Sequence, residues 1–188
     1  MKRLDAIRRI VPLLGAAAVI SNLGRNTYDL YEAADRPENF YMWGAMGSTS
    51  SVGFGLALAQ PARPVVVLDG DGSMLMSLGC LTTIAAHHPS KLVLVVFDNG
   101  TYETTGGQAT HTKRGADLEA IARGAGLTRT VTVVTLDEFA GAVERALQEP
   151  GPWFILAKIE QATAFARVPR RPIYLKDRFM EAIGTVGI

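Results

Sequence analysis

Gly70-Asp71-Gly72-Ser73 follows closely on the apolar run Val65-Val66-Val67-Leu68. Glycines at such a turn let the backbone approach a ligand. Where a strand hands over to a helix, free N–H groups and the helix dipole favour a phosphate. Asp71 adds a carboxylate beside that anion site, and it repels phosphate unless a cation lies between them. Magnesium resolves the conflict, because Mg²⁺ is held by one or two protein carboxylates, phosphate oxygens and water. A second polar turn, Asp98-Asn99-Gly100-Thr101, ends the run Leu92 to Phe97, and Asn99 lies 28 residues after Asp71. That interval is about one helix and one strand, so adjacent parallel strands would bring the two turns together. The Asn99 amide oxygen and the Thr101 backbone carbonyl then complete a hard-oxygen site with Asp71.

The elements that must position these turns alternate along the chain. An opening helix precedes a strand at Ala17 to Asn22, a helix at Thr27 to Ala34 and a short strand at Phe40 to Trp43. Gly44-Ala45-Met46-Gly47 turns the chain into a helix at Ser48 to Gln60, which Pro61 and Pro64 stop. The strand Val65 to Leu68 is uniformly apolar, as in a sheet buried on both faces. A helix at Met74 to His87 and the strand Leu92 to Phe97 follow. Gly100 to Gly115 shows no hydrophobic period, and a loop of that length in a compact domain is usually functional. Alternation resumes with a helix at Leu118 to Gly124, a strand at Thr130 to Val134, a helix at Leu136 to Leu147 and a strand at Trp153 to Ile159. The expected fold is α/β: a doubly wound, mostly parallel sheet of about six strands with helices on both faces. Ligands in such sheets bind beyond the carboxyl ends of the strands. Residues 1–188 are expected to form one domain, with 161–188 as a C-terminal tail and a last helix at Lys176 to Ile183.

The strand, Gly-Asp-Gly, helix, strand, Asp-Asn arrangement resembles the magnesium-diphosphate motif of thiamine diphosphate-dependent enzymes. Gly-Asp-Gly alone is more often a plain tight turn; the pairing with Asn99 makes the match specific. The family usually closes the motif on Asn-Asn, and Asp98 departs from that at the position that does not ligate. The resemblance implies that thiamine diphosphate and Mg²⁺ are the cofactors and that Gly70, Asp71, Gly72, Ser73, Asn99, Thr101 and Tyr102 lie about the diphosphate. It also implies that the Gly44 carbonyl accepts from the cofactor's 4'-amino group, with Ala45 beside it and Met46 as the apolar wedge beneath the rings. Asn22 and Gly24, with Asn26 and Thr27 after them, end the first strand where further diphosphate donors are expected.

Residues 35–42, Met46-Gly47 and Thr104 to Thr110 narrow the resemblance to sulfopyruvate and phosphonopyruvate decarboxylases, with a weaker echo in Lys176 to Met180. Full-length members carry a pyrimidine-binding and a diphosphate-binding domain, and this chain has only the second. The resemblance is therefore to a separately encoded β subunit. It implies an α subunit supplying the glutamate that activates the cofactor, an oligomer of dimers, and a small anionic 2-oxoacid as substrate. Carboligation, as in acetolactate synthases, is the nearest alternative chemistry; a noncatalytic cofactor-binding module and a flavodoxin-like nucleotide binder are rivals from other classes.

Beyond Met46, the candidates for contact with reacting groups are Glu103, Thr105 and His111, all in or beside the long loop. His87 and His88 precede Pro89 and read as a helix end. Cys80 reads as a small buried hydrophobe. Arg25 and the tail cations Arg167, Arg170, Arg171 and Lys176 are either anion contacts or solvated charges. The 19 Lys and Arg against 18 Asp and Glu give a net charge of +1, which offers no reason to track nucleic acid or an anionic membrane. A single cysteine forms no internal disulfide and no multi-thiolate metal site. The apolar run Val11 to Ile20 is broken by Pro12 and is shorter than a bilayer requires, so a cytoplasmic protein is expected.

Overall fold

The computed structural model describes residues 1–161 and 166–185. Its elements, in chain order, are α1 (Arg3–Ile10), β1 (Ala18–Ser21), α2 (Arg25–Ala33), β2 (Asn39–Tyr41), α3 (Thr49–Ala59), β3 (Val65–Gly70), α4 (Asp71–Leu75), α5 (Gly79–His87), β4 (Leu92–Asp98), β5 (Thr101–Tyr102), β6 (Gln108–Ala109), α6 (Leu118–Gly124), β7 (Arg129–Val133), α7 (Leu136–Gln148), β8 (Trp153–Lys158) and α8 (Pro172–Ala182). Six strands form one sheet in the order β2-β1-β3-β4-β8-β7. All its pairings are parallel, so the expected sheet is present without an antiparallel member.

Alternation along the central strands sorts the core to two faces. Val66, Leu68, Val93, Val95 and Phe97 pack with residues of α1 and α7, such as Ile7, Ile10, Phe139 and Val143. Val65, Val67, Leu92, Leu94 and Val96 pack with Ala57 of α3, Leu81 and Ile84 of α5, Leu118 of α6 and Phe179 of α8. Every residue of β4 is buried, which explains its unbroken apolar run. Strand order reverses beside β1: the chain moves out to β2, then returns to place β3 on the other side. The carboxyl ends of β1, β3 and β4 therefore open onto a switch-point crevice, where such sheets bind ligands.

The α3 helix can approach β3 only through a bare backbone. A Cβ at Gly53 would lie 2.2 Å from Val67 Cγ2. Gly53→Val is expected to overpack this contact by about 3 kcal/mol and to lower the melting midpoint by roughly 6–12 °C, measured by circular dichroism. An unchanged midpoint would contradict the packing.

Three expectations are corrected. The helix read over Met74 to His87 is two helices. Short i to i−3 bonds, Met76 N to Ser73 O at 3.1 Å and Ser77 N to Met74 O at 3.0 Å, close α4. Ser77 and Gly79, poor helix formers, flank the break. The stretch from Gly100 to Gly115 holds a small antiparallel hairpin, β5 paired with β6. The last helix begins at Pro172, not Lys176: proline fits the first turn, where its missing N–H costs nothing. Arg178 then clamps α8 with a two-pronged bond to Asp35, at 2.9 and 2.8 Å. Parts of the expected tail, residues 162–165 and 186–188, lie outside the described residues. Among the described residues no helix is long and apolar enough to cross a membrane.

Candidate functional site

The switch-point crevice is lined by Asn22, Arg25, Asn26 and Met46 on one side, Gly70 to Ser73 at its floor, and Asn99 and Thr101 to Thr105 opposite. Register explains the convergence: β3 and β4 pair through Gly70 and Phe97, so the residues immediately beyond them, Asp71 and Asp98-Asn99, emerge side by side.

Each side chain is fixed by its neighbours. A Cβ at Gly70 would sit 3.7 Å from Asn22 Nδ2 and 3.8 Å from Asn26 Nδ2, so two amide donors stand against a bare backbone. The Asn22 oxygen faces away, accepting from Leu23 N at 2.8 Å and Thr49 Oγ1 at 3.2 Å. Gly24 has φ 75°, and a Cβ there would meet Thr104 Cγ2 at 2.8 Å, so only glycine lets the β1 turn and the hairpin close around the cleft. Asn99 Oδ1 accepts from Thr101 N at 2.8 Å. An amide oxygen has two lone pairs, so this turn leaves one for a cation.

Asp71 is 3% exposed and its Oδ2 accepts from Thr110 Oγ1 at 2.6 Å and Thr112 Oγ1 at 3.1 Å. Burial raises its carboxyl to about 6, the neighbouring Asp98 carboxylate pushes the same way, and the threonine hydroxyls oppose them. A buried carboxylate held partly against its preferred charge state is well suited to a divalent cation. Asp69, just before, is fully buried; its oxygens accept from Gly70 N and Ser50 Oγ, both at 2.9 Å, and fix the turn to α3. Burial raises its carboxyl as well.

The Gly44 to Gly47 loop is tied to the floor by Gly47 N donating to Ser73 Oγ at 2.9 Å. Ser73 is thus engaged in holding the loop. Met46 reaches the cleft, whereas Gly44 and Ala45 are exposed and line a separate apolar groove with Trp43, Pro172 and Ile173. Ala45 adopts φ 58°, a conformation that costs a residue with a Cβ and that tends to mark functional turns.

Glu103 and Thr105 lie in the cleft wall, but Glu103 faces the buried Arg3 guanidinium at 3.4 Å, and Arg3 also binds Asp29 at 2.7 Å. His111 is not brought into the cleft: it is exposed where a short helical turn begins after β6, and Thr110 is buried instead. Arg25 lines the cleft, whereas Arg167, Arg170, Arg171 and Lys176 are exposed outside it. His88 takes a left-handed helix-end conformation, and Cys80 is half-buried with its thiol pushed up by burial. Sequence reasoning missed Arg3, Asp69, Thr112 and Lys158. The last, at the end of β8, meets Asp98 Oδ2 at 2.5 Å and answers the charge that departs from the usual asparagine.

A parallel α/β domain with an acid, an amide and bare glycines at its switch point has the build of a phosphate-binding domain. Residues 22–157 match the family described as thiamine pyrophosphate enzyme, C-terminal TPP binding domain, and the chain belongs to that family. It is 45% identical to the sulfopyruvate decarboxylase subunit beta of Methanocaldococcus jannaschii, over 97% of each chain. It is 43% identical to the phosphonopyruvate decarboxylase of Streptomyces hygroscopicus, covering 95% of this chain and 45% of that one. The benzoylformate decarboxylase of Polynucleobacter necessarius has the same fold, with a TM-score of 0.71 at 24% identity over 87% of this chain and 33% of that one. The chain is a thiamine diphosphate-binding subunit of the 2-oxoacid decarboxylase type, similar to the sulfopyruvate decarboxylase β subunit.

Proposed function

We propose that this chain holds thiamine diphosphate through Mg²⁺ and decarboxylates a small anionic 2-oxoacid together with a separate pyrimidine-domain α subunit. The observation that carries the reading is the convergence of Asp71, Asn99 and Thr101 beside the bare Gly70 and Gly72 backbone. The Asp71 carboxylate, the Asn99 amide oxygen and the Thr101 carbonyl would hold the cation. The Asn22 and Asn26 amides would donate to diphosphate oxygens, and Met46 would support the rings from the cleft wall. When bound, the cofactor supplies the electron sink for the pair left by departing CO₂.

The partner is supported by likeness to a protein called subunit beta, which the chain matches over 97% of each; it spans 45% of the length of the Streptomyces hygroscopicus phosphonopyruvate decarboxylase. Gly44, Ala45 and Trp43, which precede Met46, stand exposed along an apolar groove, where a second wall would complete the ring site. In this reading that wall, with its activating glutamate, belongs to the α subunit.

The test is an assay of CO₂ release and aldehyde formation from sulfopyruvate, phosphonopyruvate and pyruvate, with thiamine diphosphate and Mg²⁺, for the chain alone and copurified with its partner. Turnover confined to the two-subunit preparation is expected, with preference for an acid bearing a second anion. Equal turnover by the chain alone would overturn the partner requirement, and a ligated rather than decarboxylated product would select the carboligase alternative.

A further inference from the structure

The metal-facing carboxylate is supported by a chain of contacts that ends on a lysine from another strand. Thr112 Oγ1 lies 3.1 Å from Asp71 Oδ2, 2.8 Å from Asp98 Oδ1 and 2.8 Å from Thr110 Oγ1. A hydroxyl carries one proton, so Thr112 serves a single acceptor at any instant. Thr110 donates to Asp71 at 2.6 Å, leaving two carboxylates to compete for the Thr112 proton. Asp98 is 4% exposed, and apart from Thr112 its oxygens meet Gly100 N at 3.0 Å and Lys158 Nζ at 2.5 Å. The β4–β8 register places Asp98 and Lys158 on the same rung, so the backbone sets their pairing. A buried carboxylate that loses its counter-charge is strongly disfavoured and draws the nearest donor to itself.

We propose that Lys158 is a positioning residue for the metal site: by neutralising Asp98 it weakens that carboxylate's hold on Thr112, which lies 2.8 Å from Asp98 and 3.1 Å from Asp71, and so keeps the hydroxyl shared with Asp71 in the orientation that receives the cation. The inference rests on the proposed magnesium role of the cleft. Without the lysine, Asp98 takes the Thr112 proton and adds an uncompensated negative charge beside Asp71, so the carboxylate loses a brace that fixes its direction. Outer contacts of this kind orient metal ligands, and their loss commonly weakens metal binding by about 10–100-fold.

The experiment is a Mg²⁺ titration of the full chain with its partner subunit at saturating thiamine diphosphate, followed by tryptophan fluorescence, with melting curves recorded in parallel. Lys158→Met is expected to weaken Mg²⁺ by about tenfold or more, while Lys158→Arg, which keeps the charge, stays within about threefold of wild type. In an Asp98→Asn background, where no charge needs an answer, the same Lys158→Met change is expected to shift Mg²⁺ affinity by less than about twofold. Equal weakening in both backgrounds, or none in either, would overturn the proposal. Should Lys158→Met not fold, Lys158→Gln enters the same cycle in its place. A wild-type protein that shows no magnesium-dependent signal defeats the functional reading itself, and the role of Lys158 with it; a responsive wild type with an indifferent Lys158 defeats this inference alone.

Discussion

Replacing Asp71 by asparagine is expected to abolish magnesium-dependent binding of thiamine diphosphate and, at pH 7.5, to make the ligand-free chain more stable. The two effects share one cause. Burial raises the Asp71 carboxyl from 3.8 to about 6. The folded chain therefore binds that proton more tightly than the unfolded chain, and stability falls as pH rises through the window between those values. Above the window the folded state carries the whole cost of the buried charge, about 3 kcal/mol. Asparagine removes that cost and still offers an oxygen to Thr110 and Thr112. The ligand-free variant should melt roughly 6–12 °C higher at pH 7.5, with the advantage shrinking towards pH 4. Calorimetric melts across that range, with and without Mg²⁺ and cofactor, check both parts. A variant that retains magnesium-dependent binding, or melts lower than wild type at pH 7.5, would contradict the assignment.

The second large effect is expected at Gly72. A Cβ there would lie 2.4 Å from Tyr102 Cε1 and 2.6 Å from Cδ1, well inside contact distance. Tyr102 belongs to the hairpin that also carries Thr101 and Glu103 into the cleft. Gly72→Ala therefore forces the ring, and with it the turn proposed to hold the cation, away from the floor. A loss of about 100-fold in cofactor affinity is expected, the upper range for disturbing the supports of a metal site. The geometry also specifies a suppressor. Tyr102→Ala removes the obstructing ring, so the double variant should bind more tightly than Gly72→Ala alone. If adding Tyr102→Ala leaves the defect unchanged or deepens it, the ring is not the cause.

The sequence disclosed the floor of the site because its chemistry is local. Gly70-Asp71-Gly72 sits at the end of an apolar strand, and one helix and one strand later Asn99 ends the next. Parallel pairing of consecutive strands then forces the meeting. The wall opposite was less legible. Thr101-Tyr102 and Gln108-Ala109 are two-residue strands, too short to show alternation, so the hairpin looked like an irregular loop. His111 draws attention by its titratable ring, yet just after β6 the backbone turns helical at His111 into the short turn Thr112–Arg114, so its side chain diverges from that of Thr110. Thr110, the chemically quieter residue, turns inward onto Asp71 while His111 meets solvent.

Lys158 and Arg3 were invisible for a different reason. Their partners, Asp98 and Glu103, lie 60 and 100 residues away, and the pairs exist only because sheet order and helix packing put them together. The apparent anomaly at Asp98 was visible, but its compensation was not, since β8 inserts between β4 and β7 out of sequence order. The break between α4 and α5 was hardly legible, because Ser77 and Gly79 are small interruptions in an otherwise helical composition from Met74 to His87. What ends α4 is the hold of the Ser73 hydroxyl on Gly47 and the packing of Met76 and Ser77 beneath that glycine.

The most direct measurement is a calorimetric titration of thiamine diphosphate into the full chain, with its partner subunit, in Mg²⁺ and again in chelator. The account predicts saturable binding in Mg²⁺ that is lost in chelator and in Asp71→Asn alike. Binding of equal strength in chelator, or its persistence in Asp71→Asn, would contradict a magnesium-bridged diphosphate held by the turn after β3.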